Sequence, residues 1–174
     1  MSKIEPIKIA KWFINQDTLE INNSQEGNTK LQKLIFFSQL IYMCENDRER
    51  MFDQEFSAFK NGMVLNDVRK VFKSNYKKLK EESVNIEVPK DIEKALILTR
   101  QIFGKYSAEE LSKMSHEFEA WEKRYESSKG LFGYNYNKAK VPYEELQEEL
   151  YKMKKVLKAY ESTSNMQDNE EEDY

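Results

Sequence analysis

Lys30-Leu31-Gln32-Lys33-Leu34-Ile35-Phe36-Phe37-Ser38-Gln39 is the stretch on which the reading of this chain turns. Leu31, Leu34, Ile35 and Ile41 recur at helical spacing, and Phe37, Leu40 and Cys44 widen that face. A helix apolar over most of its circumference belongs at the centre of a core. The spacing predicts a helix from a cap at Asn28 or Thr29 to about Cys44. Downstream stands Ala58-Phe59-Lys60-Asn61-Gly62-Met63-Val64. Phe52, Gln54 and Phe56 alternate there with Asp53 and Glu55, so residues 53–59 read as a short extended piece. Asn61-Gly62 then reads as a turn, where glycine tolerates a positive φ.

Working outward, Glu5-Pro6 opens a helix with Ile9, Trp12 and Phe13 on one face through Ile14. Residues 22–27 read as a polar loop. Val64, Val68, Val71 and Phe72 mark a helix after the turn, and the polar, basic residues 73–90 read as a loop or frayed end. Asp91 is placed to cap a helix carrying Ile92, Ala95, Leu96, Leu98 and Phe103, which stops near Gly104. Ser107-Ala108-Glu109-Glu110 spells a capping box, and Leu111 and Met114 give its helix a buried edge. Pro142 opens the last helix, where Leu146, Leu150, Met153, Leu157 and Tyr160 repeat at three and four. The expected fold is mainly α: one compact domain over residues 1–161, with about six helices and at most one short β element. Trp121, Leu34, Ile35 and Leu150 are expected largely buried. Residues 162–174 lose their apolar residues and are expected to form a disordered acidic tail.

The composition fits that picture. A chain of 174 residues can bury an adequate core, and 13% aromatics offset a modest 39% hydrophobic content. Five Gly and three Pro argue against a turn-dense β protein. No apolar run is long enough for a membrane span, the first residues lack the apolar core of a secretory signal, and Cys44 is the single cysteine. A cytoplasmic location is therefore expected. The net charge of −3 is owed to five acids between Asp168 and Asp173, so the rest of the chain is close to neutral.

No catalytic or metal-binding constellation can be assembled. The chain has one His, whereas a zinc helix needs two at i and i+4 plus a third ligand. Cys44 falls at a helix C-terminal end, where the dipole opposes a thiolate, and no glycine-rich turn accompanies it. The five glycines never reach phosphate-loop spacing. The expectation is a binding protein with no catalytic residue, no metal and no cofactor. His116 is given a structural role. Arg69, Lys70, Lys73, Lys77, Lys78 and Lys80, with Phe72 and Tyr76 among them, read first as a solvated helix face; nucleic acid stays open as a partner behind that reading. The loop Gly130-Leu131-Phe132-Gly133-Tyr134-Asn135-Tyr136-Asn137 has the composition of an adaptable binding loop. Folding of Phe132 and Tyr134 back onto the core is the plainer alternative.

Taken together, the Lys30–Phe37 stretch, the Ala58–Val64 stretch, and Leu111-Ser112, Ser115-His116-Glu117 and Trp121 resemble the Panacea domain, the SocA-like antitoxin domain. The similarity extends over roughly residues 7–159. Three positions depart from that family's usual residue: Phe59 stands for Trp, and Met63 and Ala120 each stand for Pro. The resemblance implies a protein-binding antitoxin that neutralises a partner toxin by direct contact, in some members as an adaptor for a protease. The alternative it leaves open is an inhibitor, carried by a phage or mobile element, of a bacterial defence enzyme. It implies Leu31, Gln32, Lys33, Leu34, His116 and Trp121 as structural motif residues. Phe59, Asn61, Gly62 and Met63, with Phe132, Tyr134 and Tyr136, are the expected partner surface. Neither the partner's identity nor an oligomeric state follows from the sequence.

Overall fold

A computed structural model of the chain describes residues 3–171, and side chains as far as residue 167. It is mainly helical, with more elements than the sequence pattern resolved. Helix α1 (Pro6–Ile14) starts at its proline, as expected, and buries Ile9, Trp12, Phe13 and Ile14. A one-turn 3₁₀ helix at Asp17–Leu19 leads into α2 (Gln25–Glu45). The cap of α2 is Ser24, whose hydroxyl accepts the Gly27 amide at 2.9 Å, so this helix begins one turn before the expected Asn28 or Thr29. From Leu31 to Met43 every residue of α2 is buried, polar ones included. It is the central pillar of the fold.

Strands β1 (Phe56–Phe59) and β2 (Gly62–Val64) form a hairpin around Lys60-Asn61, and β5 (Lys140–Val141) joins the other side of β1. The expected extended piece is therefore the middle strand of a small antiparallel sheet ordered β2-β1-β5. Helix α3 (Asn66–Ser83) continues well past residue 73, so of the region read as a loop or frayed end the first part is helix. It bends at Asn75 (φ −137°, ψ 34°) and still buries Leu79 and Ser83 beyond the bend. Helix α4 (Lys90–Phe103) starts one residue before Asp91, which lies in its first turn and accepts the Tyr42 hydroxyl at 2.9 Å instead of capping. Helix α5 (Ala108–Ser115) has the expected capping box, with Ser107 and Glu110 bonding reciprocally.

Helix α6 (Glu119–Ser128) is followed by a second, two-residue hairpin of β3 (Lys129–Gly130) and β4 (Gly133–Tyr134), and by the single turn α7 (Tyr136–Ala139). The last helix is two: α8 (Tyr143–Glu148) and α9 (Leu150–Glu171), broken at Glu149. Helix α9 runs on past Ser162, where an unstructured tail was expected, and its residues 161–167 are almost all exposed. The acidic side chains from Asp168 onward lie outside the described residues.

One core gathers these elements. Phe36 meets Phe56 and Phe118 edge to face, at 5.2 and 5.3 Å between ring centroids, and Phe37 stacks on Phe103 at 4.4 Å. Leu34, Ile35 and Leu150 are buried as expected, whereas Trp121 is only half-buried. Among the described residues no helix is long and apolar enough to cross a membrane.

Candidate partner-binding site

The buried polar residues of α2 tie the sheet to the core. Gln32 closes a two-way amide pair with Leu65: its Oε1 accepts the Leu65 N–H at 2.8 Å and its Nε2 donates back to the Leu65 carbonyl at 3.4 Å. Two turns later, Gln39 accepts from the Met51 N–H and donates to the Phe52 carbonyl, each at 2.9 Å. Lys33 is wholly buried, and its Nζ donates to the Met63 carbonyl at 2.8 Å. Burial pushes the Lys33 ammonium down to a pKa of about 7.

Gly62 sits directly over Lys33. Its φ is 110°, and a Cβ there would stand 2.1 Å from the Ser115 hydroxyl oxygen and 2.7 Å from Lys33 Cε. Both the backbone angle and the lack of space demand glycine. Ser115 is buried on α5, and the next residue, His116, stacks on Trp121 with centroids 3.9 Å apart. Trp121 stacks in turn on Tyr125 at 5.1 Å and donates its indole N–H to the Phe59 carbonyl at 2.7 Å. His116 bonds the Lys60 backbone; burial first, with the neighbouring Lys33 charge, holds its pKa below the usual histidine value. The two distant motifs are thus one contact: α5 and the start of α6 clasp the hairpin that α2 supports from below.

Strand β1 pairs with β5 only through Phe56 and Ser57. The next two carbonyls on β1 are taken by side chains, Ala58 by the Tyr134 hydroxyl at 2.6 Å and Phe59 by Trp121. Those bonds tie β1 to the second hairpin and to α6. Tyr134 and Tyr136 also meet the Phe59 ring edge to face at 5.5 and 5.8 Å, and Arg69 lies over the same ring at 5.2 Å. Asn135 accepts from the Asn137 and Lys138 amides, and its own N–H closes onto the Ser128 carbonyl. The second hairpin therefore has an anchored base and a bare tip. Leu131 is 99% exposed and Phe132 fully so.

Of the expected partner surface, Phe59 and Tyr134 are half-buried and Asn61, Phe132 and Tyr136 exposed. Met63 is not available: its side chain is 0% exposed, pointing into the core opposite Ala58 in the ladder. The reading of Met63 as an adaptable surface residue is corrected, because β2 is covered along its whole length and Met63 belongs to the core. Gly62 is buried too and serves the close approach to Lys33 and Ser115. The structural motif residues Leu31, Gln32, Lys33 and Leu34 are all buried, and His116 and Trp121 form the stack described above. Sequence reading missed Leu131, which with Phe132 makes the two-residue turn between the paired Gly130 and Gly133. It also missed Glu149, whose two carboxylate oxygens accept the Glu119 and Ala120 amides at 2.7 and 2.9 Å and so cap α6. Ala120 can donate there only because it is not proline. Cys44 is half-buried, and burial raises its thiol to a pKa of about 11, so it is protonated at neutral pH.

Comparison with known proteins agrees with this arrangement. A family model described as "Antitoxin SocA-like, Panacea domain" matches residues 31–122, more than half of the chain and the span from the α2 motif to Trp121. No curated protein and no solved structure matches. The matched span holds the α2 pillar, the β1–β2 hairpin and the His116–Trp121 clasp, so the chain belongs to the SocA-like antitoxin family, the family of the Panacea domain.

Proposed function

We propose that this protein is an antitoxin that captures a partner toxin by direct contact, as a binder and not as an enzyme, and that the β3–β4 hairpin carries the contact. The observation behind this reading is the pairing of Leu131 and Phe132, bare at the tip, with a base anchored by Tyr134 and Asn135. Two large apolar side chains held out on a rigid support are unusual on a surface that faces only water. Binding energy concentrates in a few such anchors, and a fixed base lowers the entropy lost on docking. Phe59, Tyr134 and Tyr136 continue the patch toward Asn61, giving it an aromatic rim with polar ends.

The test is co-purification with the product of the neighbouring gene and rescue of growth when the two are expressed together. Phe132→Asp is expected to weaken binding by about 2–4 kcal/mol, the range of a principal anchor, with Leu131→Asp close behind. Neither side chain touches the core, so the melting temperature should stay within a degree or two of the parent protein. Full rescue by the Leu131→Asp, Phe132→Asp double variant would place the contact elsewhere on the domain.

A further inference from the structure

A cavity of about 490 Å³ opens between the start of α2, the β1–β2 turn and α3, on the far side of Phe59 from the second hairpin. Four basic side chains line it, the exposed Lys60 and Lys73, Arg69 and the buried Lys33, and no carboxylate does. In a chain that carries 31 acids against 28 bases, that segregation is a local feature of the cavity. Among the described residues none of the four is in an ion pair. Arg69 is held in place by the Asn66 side chain, at 3.0 and 3.1 Å, and by the Phe59 ring. Lys33, at the base, is wholly buried with a single carbonyl partner. Burial makes the charged form of this amine costly, and an anion bound nearby favours that form.

Charge alone would suit any anion. Two further features narrow the class. The volume greatly exceeds what one phosphate or carboxylate group needs, so the ligand brings an organic body, which the Phe59 wall accommodates. Asn28 also lines the cavity, and its Oδ1 is buried and meets no protein donor, while its Nδ2 is engaged by the Arg69 carbonyl at 3.2 Å. A buried acceptor left in that position matches a hydroxyl donor on a ligand. Several cations together favour a group of charge near −2 over a single carboxylate.

We propose that this cavity binds a phosphorylated sugar, either free or as the sugar phosphate of a nucleotide. The phosphate lies among Lys60, Arg69 and Lys73, and a sugar hydroxyl donates to Asn28 Oδ1. The site is separate from the Leu131–Phe132 tip, so each can fail without the other.

Calorimetric titration of the full chain at low ionic strength with ribose 5-phosphate, AMP and inorganic phosphate tests this. Saturable binding of ribose 5-phosphate or AMP, with inorganic phosphate much weaker, is expected. A response to AMP alone assigns the nucleotide as the source, and a response to both assigns the sugar phosphate. Lys60→Gln with Lys73→Gln should weaken the interaction about tenfold or more, since both are exposed and make no contact that the fold needs. The control pair Lys77→Gln with Lys78→Gln, on α3 but outside the cavity, should leave it unchanged. No saturable heat at millimolar ligand overturns the proposal, as does equal weakening by the control pair, which would mean general charge attraction. Displacement of the sugar phosphate by a glutamate-rich peptide at matched concentration would also overturn it, in favour of an acidic protein segment.

Discussion

Lys33 takes an ammonium to the centre of the molecule and gives it one carbonyl, that of Met63. With its folded pKa near 7 and its unfolded value near the ordinary 10.5, the unfolded chain binds more protons between those limits. Stability therefore rises with pH from about 7 upward, by about 1.4 kcal/mol per pH unit at most for one proton. Cys44 and the buried tyrosines act oppositely at higher pH, because their raised values let the unfolded chain ionise first. His116, held below its usual value, changes stability only below about pH 6.5, where falling pH destabilises. The Lys33 signal is thus cleanest between pH 7 and 8.5. Urea denaturation across that window should show the parent protein gaining stability and Lys33→Met not; parallel curves would mean that Lys33 keeps its charge. At the same scale, the Trp121 indole now counts for its bond to Phe59 and its stack on His116, not for full burial. Trp121→Phe keeps a ring in the stack and removes the indole's bond to the Phe59 carbonyl, so a loss of about 1–3 kcal/mol is expected in the same assay.

At the scale of elements, short polar links decide how the helices meet. Glu149 stands in the break between α8 and α9, and its carboxylate serves the first two amides of α6 and the Lys152 ammonium at once. Glu149→Ala would leave those amides without a partner in a partly buried place. A loss of about 1–3 kcal/mol follows, with the amides of Glu119 and Ala120 exchanging faster than the rest of α6; unchanged exchange there would show that α6 does not depend on this cap. This link was not legible in the sequence, because Glu149 is one of many acids near Pro142 and only the fold brings it to another helix. The α2 and α5 helices were legible for the opposite reason: apolar period and the Ser107–Glu110 box are local. The true α2 cap at Ser24 was hidden because the first turn, Gln25 to Asn28, has no apolar period of its own. The second half of α3 was hidden among lysines, with Leu79 as its one large buried residue past the bend. Two-residue strands such as β3 and β4 lie below anything that alternation can reveal.

For the whole molecule, the motif residues belong to one mechanical unit: α2 below, the β1–β2 hairpin across it, and α5 with α6 clasping it through Ser115, His116 and Trp121. That explains why pieces far apart in sequence carry one family signature, and why the signature marks the scaffold more than the contact surface. The contact surface proposed above lies just beyond it, on a hairpin outside the matched residues 31–122. Helix α9 poses the remaining question at this scale. Among the described residues its last large buried one is Leu157, and beyond the Tyr160 bond to Gln101 the side chains of residues 161–167 are almost all exposed. A solvent-bathed extension adds little to stability, since isolated helical turns are marginal. Removing residues 163–174 is therefore expected to change the unfolding free energy by less than about 1 kcal/mol. It also removes five acids and moves the domain to a small net positive charge. If the hairpin carries the contact, the truncated protein still rescues cells from the toxin, and association slows only as far as long-range attraction to a basic partner is lost. Measuring association rates of full-length and truncated protein at two salt concentrations separates these effects: a salt-dependent rate change with an unchanged dissociation rate makes the acidic end a steering element. Loss of rescue on truncation, with folding intact, would instead make the acidic end the effector and turn the reading toward an inhibitor of a different enzyme.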